Sequence, residues 1–270
     1  MNEEKESTSL CAPAFRHVRQ RVTRPGSLRS IKWLAYSLLL CSIALSTAGD
    51  AGAAVSGQKT GMVCLDNTDL TASDLLAAKQ VLATSIKALP ASGSPAATIY
   101  VRAVTDHSYG SGALATIVLP PVAPLPAATT CDIFDVACKN ANKRRRAIAL
   151  AQLKTASSVA AQQAAHLLAL PVPRSRIKPD LAGCLIKAGQ IYPRRGAQYL
   201  VLVSTLSASP DSVGALRLPG VDVDVLFICQ SDTATCVRRR EGWIRAFQRM
   251  GTIDGVFWDV SQRPTLFAGS

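Results

Sequence analysis

Six residues from Tyr199 to Ser204, YLVLVS, are apolar at every position up to the closing serine. A strand with one wet face alternates apolar and polar side chains, whereas a strand covered on both faces has no reason to. This run therefore calls for a sheet with a layer on either side. Other segments fit the same plan. GMVCLD (61–66), TIYVRAV (98–104), LATIVL (114–119), VDVDVLFIC (221–229) and GVFWDV (255–260) have the β-branched and apolar character of strands. Between them lie helical segments. In 71–89 the apolar positions 75, 76, 82, 86 and 89 share one face, with Thr71 or Ser73 as cap. Residues 133–169 contain neither Pro nor Gly and end at Pro171 and Pro173, which predicts a long helix. DLAGCLIKA (180–188) and 235–250, with Trp243, Ile244 and Phe247 on one side, predict two more. Strands alternating with helices make an α/β three-layer sandwich, with a mostly parallel central sheet and helices on both faces. Ligands in such sheets bind beyond the carboxyl ends of the strands, and Asp66 ends the first strand.

The N-terminus follows another logic. Arg16, Arg19, Arg21, Arg24, Arg29 and Lys32 precede WLAYSLLLCSIALS (33–46), 14 residues without a charge, and then the small residues STAGDAGAAV. Positive, apolar and small-residue stretches in that order predict a secretory signal, cleaved near Ala48 or Ala53. The apolar run is short for a bilayer span, which takes about 20 residues. If it is uncleaved, residues 33–49 anchor the chain in the inner membrane. Cys41 follows Leu40, a poor lipoprotein context, and is read as a small hydrophobe. The chain thus divides into a leader, 1–56, and a domain, 57–270, with a Pro-rich and helical insertion at about 105–175. The expected compartment is the bacterial periplasm or a similar oxidising space.

Six cysteines follow the leader, at positions 64, 131, 138, 184, 229 and 236. Cys131 and Cys138 share one spacing with Cys229 and Cys236, and closing a short loop carries little entropy cost. Both pairs are predicted to be disulfides. Cys64 and Cys184 lie in apolar settings, MVCLD and LAGCLIKA, where either two buried thiols or a third bridge fits.

The chain carries 30 Lys and Arg against 18 Asp and Glu. This excess favours an anionic surface or polymer as a partner, and KRRR (143–146) and RRR (238–240) concentrate it. Few aromatic residues accompany the charge, and specific nucleic-acid binding is not expected. A solvated helical face accounts for each basic run; docking to an acidic partner or anionic lipid is the alternative.

The order of elements resembles the von Willebrand factor type A domain. VCLDNTDLT is similar to that family's opening loop, Asp-x-Ser-x-Ser. IKPDLAGCLIKA is similar to its second loop, YLVLVSTL to its central strand, and VDVDVLFIC with CVRRREGWIRAFQRMG to the next strand and helix. The similarity spans 61–260 apart from the insertion. It implies loops that gather around a divalent cation, usually Mg²⁺, whose shell a partner's carboxylate completes. It places Asp66, Thr68, Asp180, Ser204 and Thr205 in the binding loops. Leu70 stands where the second hydroxyl belongs, Lys178 or Pro179 where the second loop has Thr, and Thr205 where the third has Asp. With those oxygens replaced, no metal and no cofactor are expected, and Asp66 is expected to cap a helix or accept a hydrogen bond from Thr68.

Catalytic readings find less support. LDNTDLT resembles the phosphatase motif of the haloacid dehalogenase class, but Thr68 falls where the acid/base Asp is required. His107 sits in a turn-like TDHSYGSG, and His166 in a helical run of Ala and Leu. No catalytic residue is assigned. The expected function is non-catalytic protein–protein interaction, as an accessory or adhesion-like part of an envelope assembly whose partner is another envelope protein. A Mg²⁺-dependent phosphohydrolase and a basic module binding an anionic polymer are the alternatives. Membrane contact is expected only through an uncleaved leader.

Overall fold

The computed structural model describes residues 57–127, 131–132, 134–175, 177–192, 196–253 and 255–267. The leader, with its expected cleavage or anchoring, lies outside the described residues. The elements run β1 (Lys59–Asp66), α1 (Ala72–Ala88), β2 (Ala97–Val104), β3 (Ala115–Leu119), α2 (Val136–Ala169), α3 (Leu181–Ile191), β4 (Gln198–Ser204), β5 (Val221–Phe227), α4 (Thr233–Met250) and β6 (Gly255–Trp258). The six strands form one sheet in the order β3-β2-β1-β4-β5-β6. All neighbours are parallel except β3, which runs antiparallel to β2 at the edge.

The pleat sorts the strands' side chains between two cores. Val63, Leu65, Val201 and Val203 meet Leu82 and Ile86 of α1 and the small-residue stripe of α2. Met62, Cys64, Leu200 and Leu202 face the other way, onto Leu185 of α3 and Trp243 and Phe247 of α4. YLVLVS is buried at every position, as its lack of alternation requires. The three-layer α/β sandwich expected from the sequence is the observed fold. Gly61 of β1 is a point of close approach: a Cβ there would come within 3.2 Å of Ile99 and 3.3 Å of Phe267.

Caps set most helix ends. Thr71 and Asp74 exchange hydrogen bonds in a capping box, so Thr71 and not Ser73 is the α1 cap. Asp135, Asp180 and Asp232 cap α2, α3 and α4, and each helix accordingly begins just past its aspartate. The strand expected over 221–229 stops at Phe227, before Cys229 turns toward Cys236. The strand expected over 255–260 stops at Trp258, because Asp259 caps a single 3-10 turn, Val260–Gln262.

Residues 105–175 supply β3 and the 34-residue α2. α2 packs on α1, and its Ala160 and Ala164, small residues that let helices approach closely, join the α1-side core. Its C-terminal end is held by Lys79 of α1, which is 7% exposed and donates to the carbonyls of Leu168 and Leu170. Burial pushes the Lys79 ammonium below its ordinary pKa. The carbonyls that α2 cannot satisfy internally at this end are the partners that make a buried lysine tolerable.

Three disulfides join Cys64 to Cys184, Cys131 to Cys138, and Cys229 to Cys236. The two short loops are bridged as expected. Of the two possibilities left for Cys64 and Cys184, the fold takes the bridge: β1 turns Cys64 toward α3, and the two Cα atoms lie 6.3 Å apart.

Candidate functional site at the carboxyl edge of the sheet

The strand order reverses between β1 and β4, the place where a sheet of this kind opens a crevice. Asp66 and Ser204 end these two strands and are buried, at 2% and 0% exposure. The Ser204 hydroxyl donates to one carboxylate oxygen of Asp66 at 2.7 Å. The other oxygen accepts the Thr68 amide at 3.1 Å. Ser204 Oγ accepts in turn from the amide of Leu206 at 2.9 Å, and Leu206 takes a left-handed backbone, φ 51°, to bury its side chain. The rim repeats the pattern. Exposed Asp69 accepts from the hydroxyls of Thr205 (3.3 Å) and Ser207 (2.9 Å), and Arg239 of α4 reaches the Thr205 carbonyl at 3.4 Å. The loops after β1 and β4 are thereby sewn together by hydrogen bonds.

Of the residues singled out from the sequence, Asp66, Ser204 and Thr205 meet here, and Thr68 joins them through its amide. Asp180 belongs to a separate network. One of its oxygens caps α3 at the Gly183 amide (2.7 Å), and the other accepts the Ser108 amide (3.0 Å). Gly183 leaves room for this, since a Cβ there would collide with the Asp180 carboxylate and the Tyr109 backbone. The loop so tied, 105–112, is also gripped by Arg102, 5% exposed, whose guanidinium donates to the carbonyls of Ser108 and Ser111. Burial lowers the Arg102 pKa. His107 is an exposed member of this turn, and His166 is exposed in the last turn of α2.

The donor set does not suit the divalent cation that the resemblance implies. Leu70, at the position of a hydroxyl, is 2% exposed and packs in the α1-side core. Lys178 is exposed, and Asp180 is engaged over β2. Among the described residues no group of three His, Cys, Asp or Glu is placed to hold a metal. The buried oxygens Asn67 Oδ1 and Thr68 Oγ1 have no protein partner, but Asp66, the buried carboxylate of the same loop, has both of its oxygens engaged by Ser204 and Thr68.

A second feature of this edge carries no signature in the sequence. A cleft of about 730 Å³ opens between α1 and the ends of β5 and β6. Val81, Phe227 and Ile228 line its apolar floor, and Thr84, Asp259 and Arg263 its rim. The Cys229–Cys236 bridge braces the adjoining loop. Its residues come from three distant stretches, which only the fold brings together.

The fold and the edge define a doubly wound α/β sandwich whose switch point is closed by a serine–aspartate hydrogen bond. No family model and no curated protein matches the sequence. Among solved structures the chain is similar to a von Willebrand factor type A protein from Catenulispora acidiphila, at 13% identity and a TM-score of 0.37. The match covers 77% of this chain and 40% of that one, so the chain spans less than half of the protein it resembles. Three disulfides are what an oxidising, extracytoplasmic compartment permits. No helix among the described residues is long and apolar enough to cross a membrane.

Proposed function

We propose that the chain is an exported, non-catalytic protein-binding domain of the von Willebrand A type, an accessory component of a bacterial envelope assembly that engages another envelope protein at the carboxyl edge of its sheet. The observation that carries this reading is the pairing at one edge of an inward-turned, hydrogen-bonded carboxylate with an open cleft. Asp66 has both oxygens engaged within the fold. The cleft offers an apolar floor inside a polar rim, the composition with which proteins hold a partner's side chains. Asp259 at the rim has its pKa lowered, chiefly by the hydrogen bonds it accepts from Ser261.

Photocrosslinking tests the reading in the native envelope. A photoreactive residue at Thr84 or Ser261, on the cleft rim, is expected to trap one envelope protein, identified by mass spectrometry. The same residue at Ser92, in the loop after α1 at the opposite edge, is expected to trap none of it. Equal trapping at both edges, or Mg²⁺-dependent phosphatase activity of the purified protein that is lost in Asp66→Asn, overturns it.

A further inference from the structure

Helix α2 is much longer than the sheet it covers. Its 34 residues span about 51 Å, against about 26 Å for an eight-residue strand. The excess lies at one end. The C-terminal end of α2 reaches the carboxyl edge, where Asn67, just past β1, donates to the Val172 carbonyl at 2.8 Å. Gln152 is already level with the opposite edge, accepting the amide of Ala123 in the segment that leaves β3. No residue from 136 to 148 is buried. About 20 Å of helix therefore extends past the edge at which β1 begins.

The helix of this arm has one sign of charge, while the loop before it carries Asp132 and Asp135 beside Phe134, both turned to local backbone amides. α2 contains Lys139, Lys143, Arg144, Arg145, Arg146 and Lys154 and not one acidic residue. Asp135, just before it, is used as the cap. Val136, Lys143 and Arg144 lie on the face turned away from the buried alanines. Apolar side chains stand among the cations: Phe134 is 89% exposed, Val136 64% and Ile148 58%. Phe134 is presented at the tip by a loop that Cys131–Cys138 closes. A merely solvated helix has no need of an exposed phenyl ring on a stapled loop.

We propose that the projecting half of α2 docks the domain on an anionic phospholipid surface, with the cations among the headgroups and Phe134 and Val136 at the acyl boundary. Interleaved cations and apolar side chains suit a bilayer interface better than they suit a soluble acidic chain, which offers nothing for the apolar groups. The inference is independent of the cleft and of the partner proposed for it.

The test uses the full chain, so the readout must be local. Hydroxyl-radical footprinting of Phe134, Val136 and Ile148 is carried out with vesicles of phosphatidylglycerol and phosphatidylethanolamine, with phosphatidylcholine vesicles, and with soluble polyglutamate. Oxidation at the three positions is expected to fall several-fold with the anionic vesicles alone, and the protection to weaken as salt is raised. In Lys143→Gln/Arg144→Gln, with near-ultraviolet circular dichroism unchanged, the lipid concentration for half-protection should rise about 25-fold, at about fivefold per cation. Phe134→Ser should weaken protection at Val136. Unchanged oxidation of the arm while the chain floats with anionic vesicles shows binding through the leader only and overturns the proposal. So does equal protection by polyglutamate, which would make the occupant an acidic polymer.

Discussion

Ser204 donates to Asp66 at 2.7 Å across the one place in the sheet where strand order reverses. The bond joins β1 to β4 at their carboxyl ends, and the same serine oxygen holds the Leu206 amide. One hydroxyl thus sets both the closure of the switch point and the path of the chain leaving β4. Asp66→Ala would leave a buried hydroxyl and the Thr68 amide without their partner, at a cost of about 3 kcal/mol, and Ser204→Ala about 1–2 kcal/mol. Because the two residues share a bond, the double variant should cost less than the sum, by about 1 kcal/mol or more. Urea unfolding of the four proteins measures this. Strict additivity would show that the contact is incidental.

The Cys64–Cys184 bridge closes a far longer loop than the other two, with sequence separations of 120, 7 and 7. On chain entropy its removal should cost about 5 kcal/mol, against about 2.5 kcal/mol for either short bridge. Comparing the melting temperatures of Cys64→Ala/Cys184→Ala and Cys131→Ala/Cys138→Ala under oxidising conditions checks the order. The long-loop variant should melt markedly lower, and a smaller loss than in the short-loop variant would contradict it.

Asp224 of β5 carries a stability dependence on pH. Burial raises its pKa, only partly offset by the hydrogen bond from Trp258 Nε1 at 2.8 Å. A carboxyl whose folded pKa lies above its unfolded value favours the fold while protonated, and that contribution is lost as pH rises through the folded pKa. Asp224→Asn keeps an acceptor for Trp258 and removes the ionisation. The variant should melt above the parent at pH 7, with the gap shrinking as pH falls through the carboxylate range. A gap that widens toward acid would reverse the sign.

Much of the layering was legible because burial on both faces leaves a local mark, as in YLVLVS, and because Pro171 and Pro173 end a helix wherever they stand. Asp66 could be placed at the mouth of the sheet because a strand's last residue is there by definition. What could not be read depends on which distant segments meet. Leu70 looked like a vacant ligand position, and only the packing of α1 shows that its side chain is drawn into the core. Asp180 looked like a binding-loop residue, yet the 105–112 turn claims its second oxygen. The bridge from Cys64 needs α3 laid over β1, and the cleft needs α1, β5 and the 3-10 turn at 260 together, none of which leaves a trace in local spacing.

The switch point is held by hydrogen bonds or by a cation, and one titration tells them apart. Thermal melts of the unmodified protein, stripped with a chelator and then given Mg²⁺ or Mn²⁺, should shift by less than about 1 °C at about 5 mM cation, as a dissociation constant above about 10 mM gives. Asp66→Ala should melt lower than the parent by the same margin with and without the cation. A rise of several degrees in the parent on adding cation, absent in Asp66→Ala, would contradict a hydrogen-bonded closure and establish a metal at Asp66.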